Sequence, residues 1–298
     1  MAEQGPIASG IDHVILEVQD LDRAAACFQD QVGLAVGGGG THPHAGTANR
    51  IAVFGDAYLE LISVAPGATP RGFIGALLSG GEGWIGFALQ TQDIEAAAAA
   101  LRARGIPCEG PTGGELAAGA FSRSWRTIHL ADPSLRSLPF LIQHDVAGGE
   151  RQRLLAGAEG LRPHPLGAQR IAAVTVATHN LAQCVEDYAH CFDLGPAPAR
   201  EHDPMLEART ARLTLPSGAM LVIATPATPG TGPVARALEE RGEGLFAVTL
   251  AVEDLPLAVR SVRGRGVGVR VEEPDDMLVA AHLNHRQVCG ARLSLVGS

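Results

Sequence analysis

Aromatic residues are scarce in this 298-residue chain, at 4% of positions, while glycine occurs 37 times. A core built from such a sequence must be aliphatic and closely packed. The five cysteines, Cys27, Cys108, Cys184, Cys191 and Cys289, are odd in number and form no CxxC pair. That excludes a disulfide frame and a zinc knuckle, and leaves buried free thiols. Basic residues are also few: 23 Lys and Arg against 32 Asp and Glu leave a formal net charge of −9. No basic face is available for phosphate, so nucleic acid is not expected as a partner. No apolar run approaches the ~18 residues of a membrane span, and the first ten residues lack the basic start and apolar centre of a signal segment. The expectation is a cytoplasmic protein with no membrane partner, acting on a small molecule. Also missing are a GxSxG elbow, an HExxH helix motif and a GxGxxG turn opening a helix, and no GK[ST] follows the four glycines at 37–40.

With 46% hydrophobic residues, there is ample material for ordinary cores. The organising stretch is Gly10 to Val64. Ile11, Val14, Leu16 and Val18 alternate as in a strand, and Asp20 then caps a helix whose apolar positions are Leu21, Ala24, Ala25 and Phe28 and whose stop is Gly33. Arg50 to Phe54 and Tyr58 to Val64 flank Gly55-Asp56 as a hairpin. The unit is βαβββ. Its strand-then-cap signature recurs with Asp93, Asn180 and Asp254 as caps, and with Gly105, Asp193 and Gly266 as stops. Two short intervals between caps flank a longer one, so the four modules group in pairs. The predicted class is α+β, with one two-module domain over 8–147, a Gly-, Pro- and charge-rich linker over 148–168 that has room for one short helix, and a second two-module domain over 169–298. The repeats leave open whether modules pair within the chain or across a homodimer.

Paired modules that begin with DHV and close with YLELI resemble the vicinal oxygen chelate superfamily of glyoxalases, extradiol dioxygenases, epimerases and bleomycin-resistance proteins. IDHVILEVQDLDRA, GGGGTHPHAGTANRIAVFGDAYLELISV, GFALQTQDIEAAAAALRARGI and SWRTIHL with LPFLIQH resemble its glyoxalase-like subgroup across the first half. The second half resembles the superfamily only through VEDL and GARLSLV. The resemblance implies that each pair of modules curls eight strands around a groove, with ligands for one divalent metal on the first and last strands of each module. Counting from the caps, those positions are His13, Glu60, Gly86 and Gln143 in the first half and Ala173, Val222, Ala247 and Ser294 in the second.

His13, Glu60 and Gln143 are therefore the expected metal ligands, for Zn, Ni, Fe or Mn. His144 is the alternative to Gln143 if the last strand shifts by one residue. Strand alternation sends His13, Glu17 and Glu60 into the groove, which makes Glu60 or Glu17 the candidate catalytic carboxylate. The run Gly37 to Arg50 is expected to be a lid over the groove, bringing His42, Asn49 and Arg50 to the substrate, with Trp125 and Arg126 on the facing wall. The resemblance implies a metal-dependent lyase or isomerase acting on a small substrate held through vicinal oxygens. Two alternatives stand beside it: a metal-free sequestration protein of the bleomycin-resistance type, and a ring-cleaving extradiol dioxygenase, whose ligands would fall in the second half.

Overall fold

The computed structural model describes residues 7–78, 81–118, 121–131, 138–157, 160–195 and 199–298. The first half contains β1 (Gly10–Glu17), α1 (Leu21–Ala26), β2 (Gly37–His42), β3 (Thr47–Phe54), β4 (Ala57–Val64), α2 (Gly72–Leu77), β5 (Gly83–Gln90), α3 (Ile94–Ala103), β6 (Cys108–Ala118), β7 (Phe121–Leu130) and β8 (Phe140–His144). After α4 (Gly148–Ala156), the second half repeats the plan with β9 (Ala168–Ala177), α5 (Leu181–Phe192), β10 (Glu201–Asp203), β11 (Ala208–Thr214), β12 (Met220–Pro226), α6 (Gly232–Arg241), β13 (Gly244–Val252), α7 (Leu255–Gly264), β14 (Val269–Glu272), β15 (Ala280–Leu283) and β16 (Leu293–Gly297).

The caps fix where each module turns. Asp20, Asp93, Asn180 and Asp254 all have extended backbones, and their side chains accept from first-turn amides. At the other ends Gly33, Gly105, Asp193 and Gly266 adopt positive φ, which breaks the helical ladder. The first helix continues beyond α1 as a π-helical turn, Cys27–Val32, before that stop.

Each half is one eight-stranded sheet, in the orders β2-β3-β4-β1-β5-β8-β7-β6 and β10-β11-β12-β9-β13-β16-β15-β14. Consecutive modules pair within the chain, through antiparallel β1 and β5 and through antiparallel β13 and β9. The fold is thus α+β with two tandem half-barrel sheets of the vicinal oxygen chelate type. One continuous apolar core runs through the helix-covered faces of both halves, from Val14, Leu16 and Phe28 to Tyr188, Phe192 and Val248. No helix among the described residues is long and apolar enough to cross a membrane.

One expectation needs correction. The glycine run is an edge strand, β2, paired with β3, and not a loop. Gly38 and Gly39 take positive φ where that pairing is irregular, and a Cβ on Gly38 would collide with the Leu155 carbonyl. Glycine is needed here because the backbone of α4 packs directly on the strand. The segment expected to be a linker carries one short helix, α4, whose Arg151 is buried.

The second groove is plugged. Val234 and Leu238 of α6 pack on Ala177, Ala208, Ala224, Phe246 and Ala247, all buried. Small side chains on the strands make room for the helix, as close packing requires. Leu238→Ala should therefore cost about 2–5 kcal/mol in urea unfolding, as large-to-small core substitutions do, while leaving ion binding by the first half unchanged. A loss below ~1 kcal/mol would contradict the plug.

Candidate functional site

The first groove is open where the second is filled. A cavity of about 700 Å³ is lined by His13, His42, Asn49, Tyr58, Glu60, Phe73, Arg123, Trp125, His129 and Phe140, among others. Ile15, Ile62, Ala88, Phe140 and Ile142 form an apolar floor on this face.

His13 and Glu60 arrive side by side because β1 and β4 are parallel neighbours, with Tyr58 opposite His13 and Glu60 opposite Ile15. His13 Nε2 lies 3.9 Å from Glu60 Oε2, with both residues buried. Each is held from behind. Asn49 Nδ2 on β3 donates to Glu60 Oε1 at 2.5 Å. His13 Nδ1 sits 2.7 Å from Asp12 Oδ1, and the ring stacks on Tyr58 at 4.6 Å between centroids. A proton on Nδ1 shared with that carboxylate leaves the Nε2 lone pair facing the cavity.

Asp12 is fully buried, and nothing in the sequence pattern marked it. A register shift between Ile11 and His13 makes it the extra residue of a bulge in the β1–β5 pairing, so strict alternation does not predict its direction. Arg151 Nη2 donates to its Oδ2 at 2.6 Å, and His144 Nε2 lies 3.3 Å from its Oδ1. Burial alone would raise the carboxyl, but His144, His13 and Arg151 together hold it well below the usual carboxylate range. Burial lowers the pKa of His144. Burial also lowers that of His42, and the charge of Arg123 adds to this while Glu60 opposes it. His129 falls to about 4 by burial alone.

Other expected residues are placed elsewhere. Phe140 and Ile142 of β8 face the groove, while Leu141 belongs to the helix-side core. Gln143 follows that alternation to the helix side, where its Oε1 accepts from the Ile94 amide at the start of α3 and its Nε2 donates to the Gln92 carbonyl. The pairing of Ala88 with Phe140, set against that of Ile15 with Glu60, makes Phe140 the counterpart of Glu60 in the second module. An aromatic ring thus stands at the fourth ligand position and Gly86 at the third. Glu17 is buried four residues further along β1, about 13 Å from His13 by strand rise, and does not line the cavity. Arg50 points to the helix side and meets Asp22 at 3.5 Å. Arg126 touches the cavity rim, but its guanidinium pairs with Glu95 at 3.0 Å. His42, Asn49 and Trp125 do line the cavity, with His42 edge-on to the Trp125 ring.

The donor set fits a divalent ion in part. A separation of 3.9 Å between His13 Nε2 and Glu60 Oε2 is within twice a metal–ligand bond of ~2.1 Å. The carboxylate behind the imidazole is the usual support of a metal-bound histidine. Among the described residues no three His, Cys, Asp or Glu side chains converge. The remaining positions would be open to water or substrate oxygens.

Comparison with known proteins places this geometry in a family. The model of the "Glyoxalase-like domain" matches residues 11–192. Among curated proteins no sequence match is found. A hypothetical protein from Staphylococcus aureus is similar in structure over 97% of this chain and 98% of its own, at 17% identity and a TM-score of 0.67. A mutant of 4-hydroxymandelate synthase from Streptomyces coelicolor is similar over 97% and 92%, at 17% identity and a TM-score of 0.63. Methylmalonyl-CoA epimerase from Mycobacterium tuberculosis is similar over 44% of this chain and 89% of its own, at 20% identity and a TM-score of 0.40. At 17% identity the first two structural likenesses speak for the fold alone, while the family match covers more than half of the length: the chain belongs to the glyoxalase-like domain family.

Proposed function

We propose that the chain is an enzyme of the isomerase, epimerase or lyase type, in which Glu60 moves a proton on a small oxygenated substrate. One observation carries this reading: a buried imidazole and a buried carboxylate open together onto a cavity of about 700 Å³, each fixed by its own hydrogen-bond partner. Preorganisation of that kind is what proton transfer requires, because the base need not be reoriented when the substrate arrives. Asn49 holds Oε1 of Glu60 and leaves Oε2 free toward the cavity. The apolar floor excludes water from the reacting carbon, and Asp12 keeps the His13 lone pair directed at the same place.

A divalent ion would be held by His13 Nε2 and Glu60 Oε2. When bound, such an ion supplies Lewis-acid stabilisation of a developing oxyanion on the substrate. With two protein donors, binding of the ion and binding of a chelating substrate should strengthen each other.

Ring cleavage centred on the second half is poorly supported. Its ligand positions are Ala173, Val222, Ala247 and Ser294, and α6 fills the groove in front of Ala247.

Calorimetric titration of chelator-treated protein with Ni²⁺, Mn²⁺ and Zn²⁺ tests the ion. One site per chain is expected for at least one of them, weakened about tenfold or more in His13→Ala. If no ion binds, the groove is instead a metal-free pocket of the bleomycin-resistance type.

A further inference from the structure

The cavity wall across from the His13–Glu60 pair carries Arg123, a cation with no ion pair among the described residues. On β7, Trp125, Thr127 and His129 line the cavity, and strand alternation puts Arg123 on the same face. Arg123 is only 8% exposed. Its Nη1 is shut off from solvent and has no hydrogen-bond partner among the described residues. Other arginines of this half are matched: Arg50 with Asp22, Arg126 with Glu95, and Arg151 with Asp12. A guanidinium nitrogen buried without an acceptor is costly, and no described residue relieves that cost at Nη1. The charge of Arg123 is felt at both His42 and Tyr58, which line the same cavity.

We propose that Arg123 anchors the carboxylate of the substrate, so that the groove takes small monocarboxylic acids with a flat apolar body. The proposal rests on reading this groove as the working site and deepens that reading. A planar guanidinium matches a carboxylate through two parallel hydrogen bonds, and the match is strongest where water is excluded. A single anionic group is indicated because, of the three arginines in the lining, Arg123 alone is buried, Arg71 being exposed and Arg126 paired with Glu95, while burial lowers the pKa of the neighbouring His42. The flat body follows from the walls, since Trp125, Tyr58, Phe73 and Phe140 offer ring faces and edges in a protein otherwise poor in aromatics.

The test compares phenylacetate with phenylacetamide, which share shape but not charge, in ligand-observed NMR titrations of the full chain. The wild type should bind the acid tighter than the amide by about tenfold or more, the worth of one charge-assisted hydrogen bond. Arg123→Met should lose this preference while keeping its affinity for the amide, which also shows that the pocket is still folded. Arg123→Lys should retain part of it. Glu60→Gln should keep the preference intact, so failure of the proton-transfer reading leaves this result standing and the reverse also holds. Equal binding of acid and amide, no binding of either, or a preference that survives in Arg123→Met would overturn the assignment.

Discussion

Glu60→Gln is expected to abolish exchange of a substrate C–H proton with solvent, lowering its rate by a factor on the order of 10²–10⁴, the usual contribution of a positioned general base. The amide keeps the size of the side chain and can still engage Asn49, but it has no basic oxygen to offer the cavity. Deuterium wash-in from D₂O, followed by proton NMR over a panel of 2-oxo and 2-hydroxy acids, measures this without requiring the natural substrate. Binding of the same acids, measured in chelator-treated protein so that the loss of an ion donor does not enter, should change little. Wild-type exchange that persists in Glu60→Gln, or no exchange with any member of the panel, would remove Glu60 from the role assigned to it. In the second half the corresponding residue is Val222, opposite Thr175 on the parallel neighbour. The same strand pairing there presents no carboxylate.

The frame of this molecule was legible because it depends on short-range chemistry. Asp20, Asp93, Asn180 and Asp254 cap helices for reasons local to each turn, and their recurrence gave four modules before any contact was known. His13 and Glu60 were legible because alternation with aliphatic neighbours leaves one face for polar side chains. What escaped lies where the period breaks or the partner is distant. Asp12 turns inward through a bulge, and bulges have no reliable sequence signature. Gln143 was misplaced because counting from a cap does not reveal where the last strand of a module begins. Only the pairing of Ala88 with Phe140 fixes that register. Arg151 sits in a segment whose glycines and charges read as a linker, yet it donates to Asp12, 139 positions earlier. The glycines of β2 signalled a loop by composition, while their actual cause is the close approach of α4.

Asp12→Asn is the substitution expected to cost the most stability, about 3–5 kcal/mol at pH 7, because it leaves the guanidinium of Arg151 buried without its counter-charge. Arg151 is itself 2% exposed, so water cannot replace the lost carboxylate. The effect carries a pH signature. Asp12 is held below its ordinary value of 3.8 in the folded chain, so the unfolded chain takes up a proton there that the folded chain refuses. Its contribution is therefore present above that value and drains away as the solution is acidified, beginning near pH 5 and steepening to about 1.4 kcal/mol per pH unit. In Asp12→Asn this part of the acid limb should be missing, so urea unfolding at pH 7 and pH 2 should separate wild type and variant strongly at the first pH and by about 2 kcal/mol less at the second. A second substitution, Arg151→Met, should recover part of the loss, since it removes the guanidinium that Asp12→Asn leaves without a counter-charge. The ion site should respond as well. An amide can donate to His13 Nδ1, which forces the remaining proton onto Nε2 and turns a lone pair into a donor aimed at the cavity. Ion affinity should then fall by about 10–100-fold. Equal stabilities for wild type and Asp12→Asn at pH 7, or unchanged ion binding in the variant, would mean that Asp12 neither balances Arg151 nor orients the imidazole.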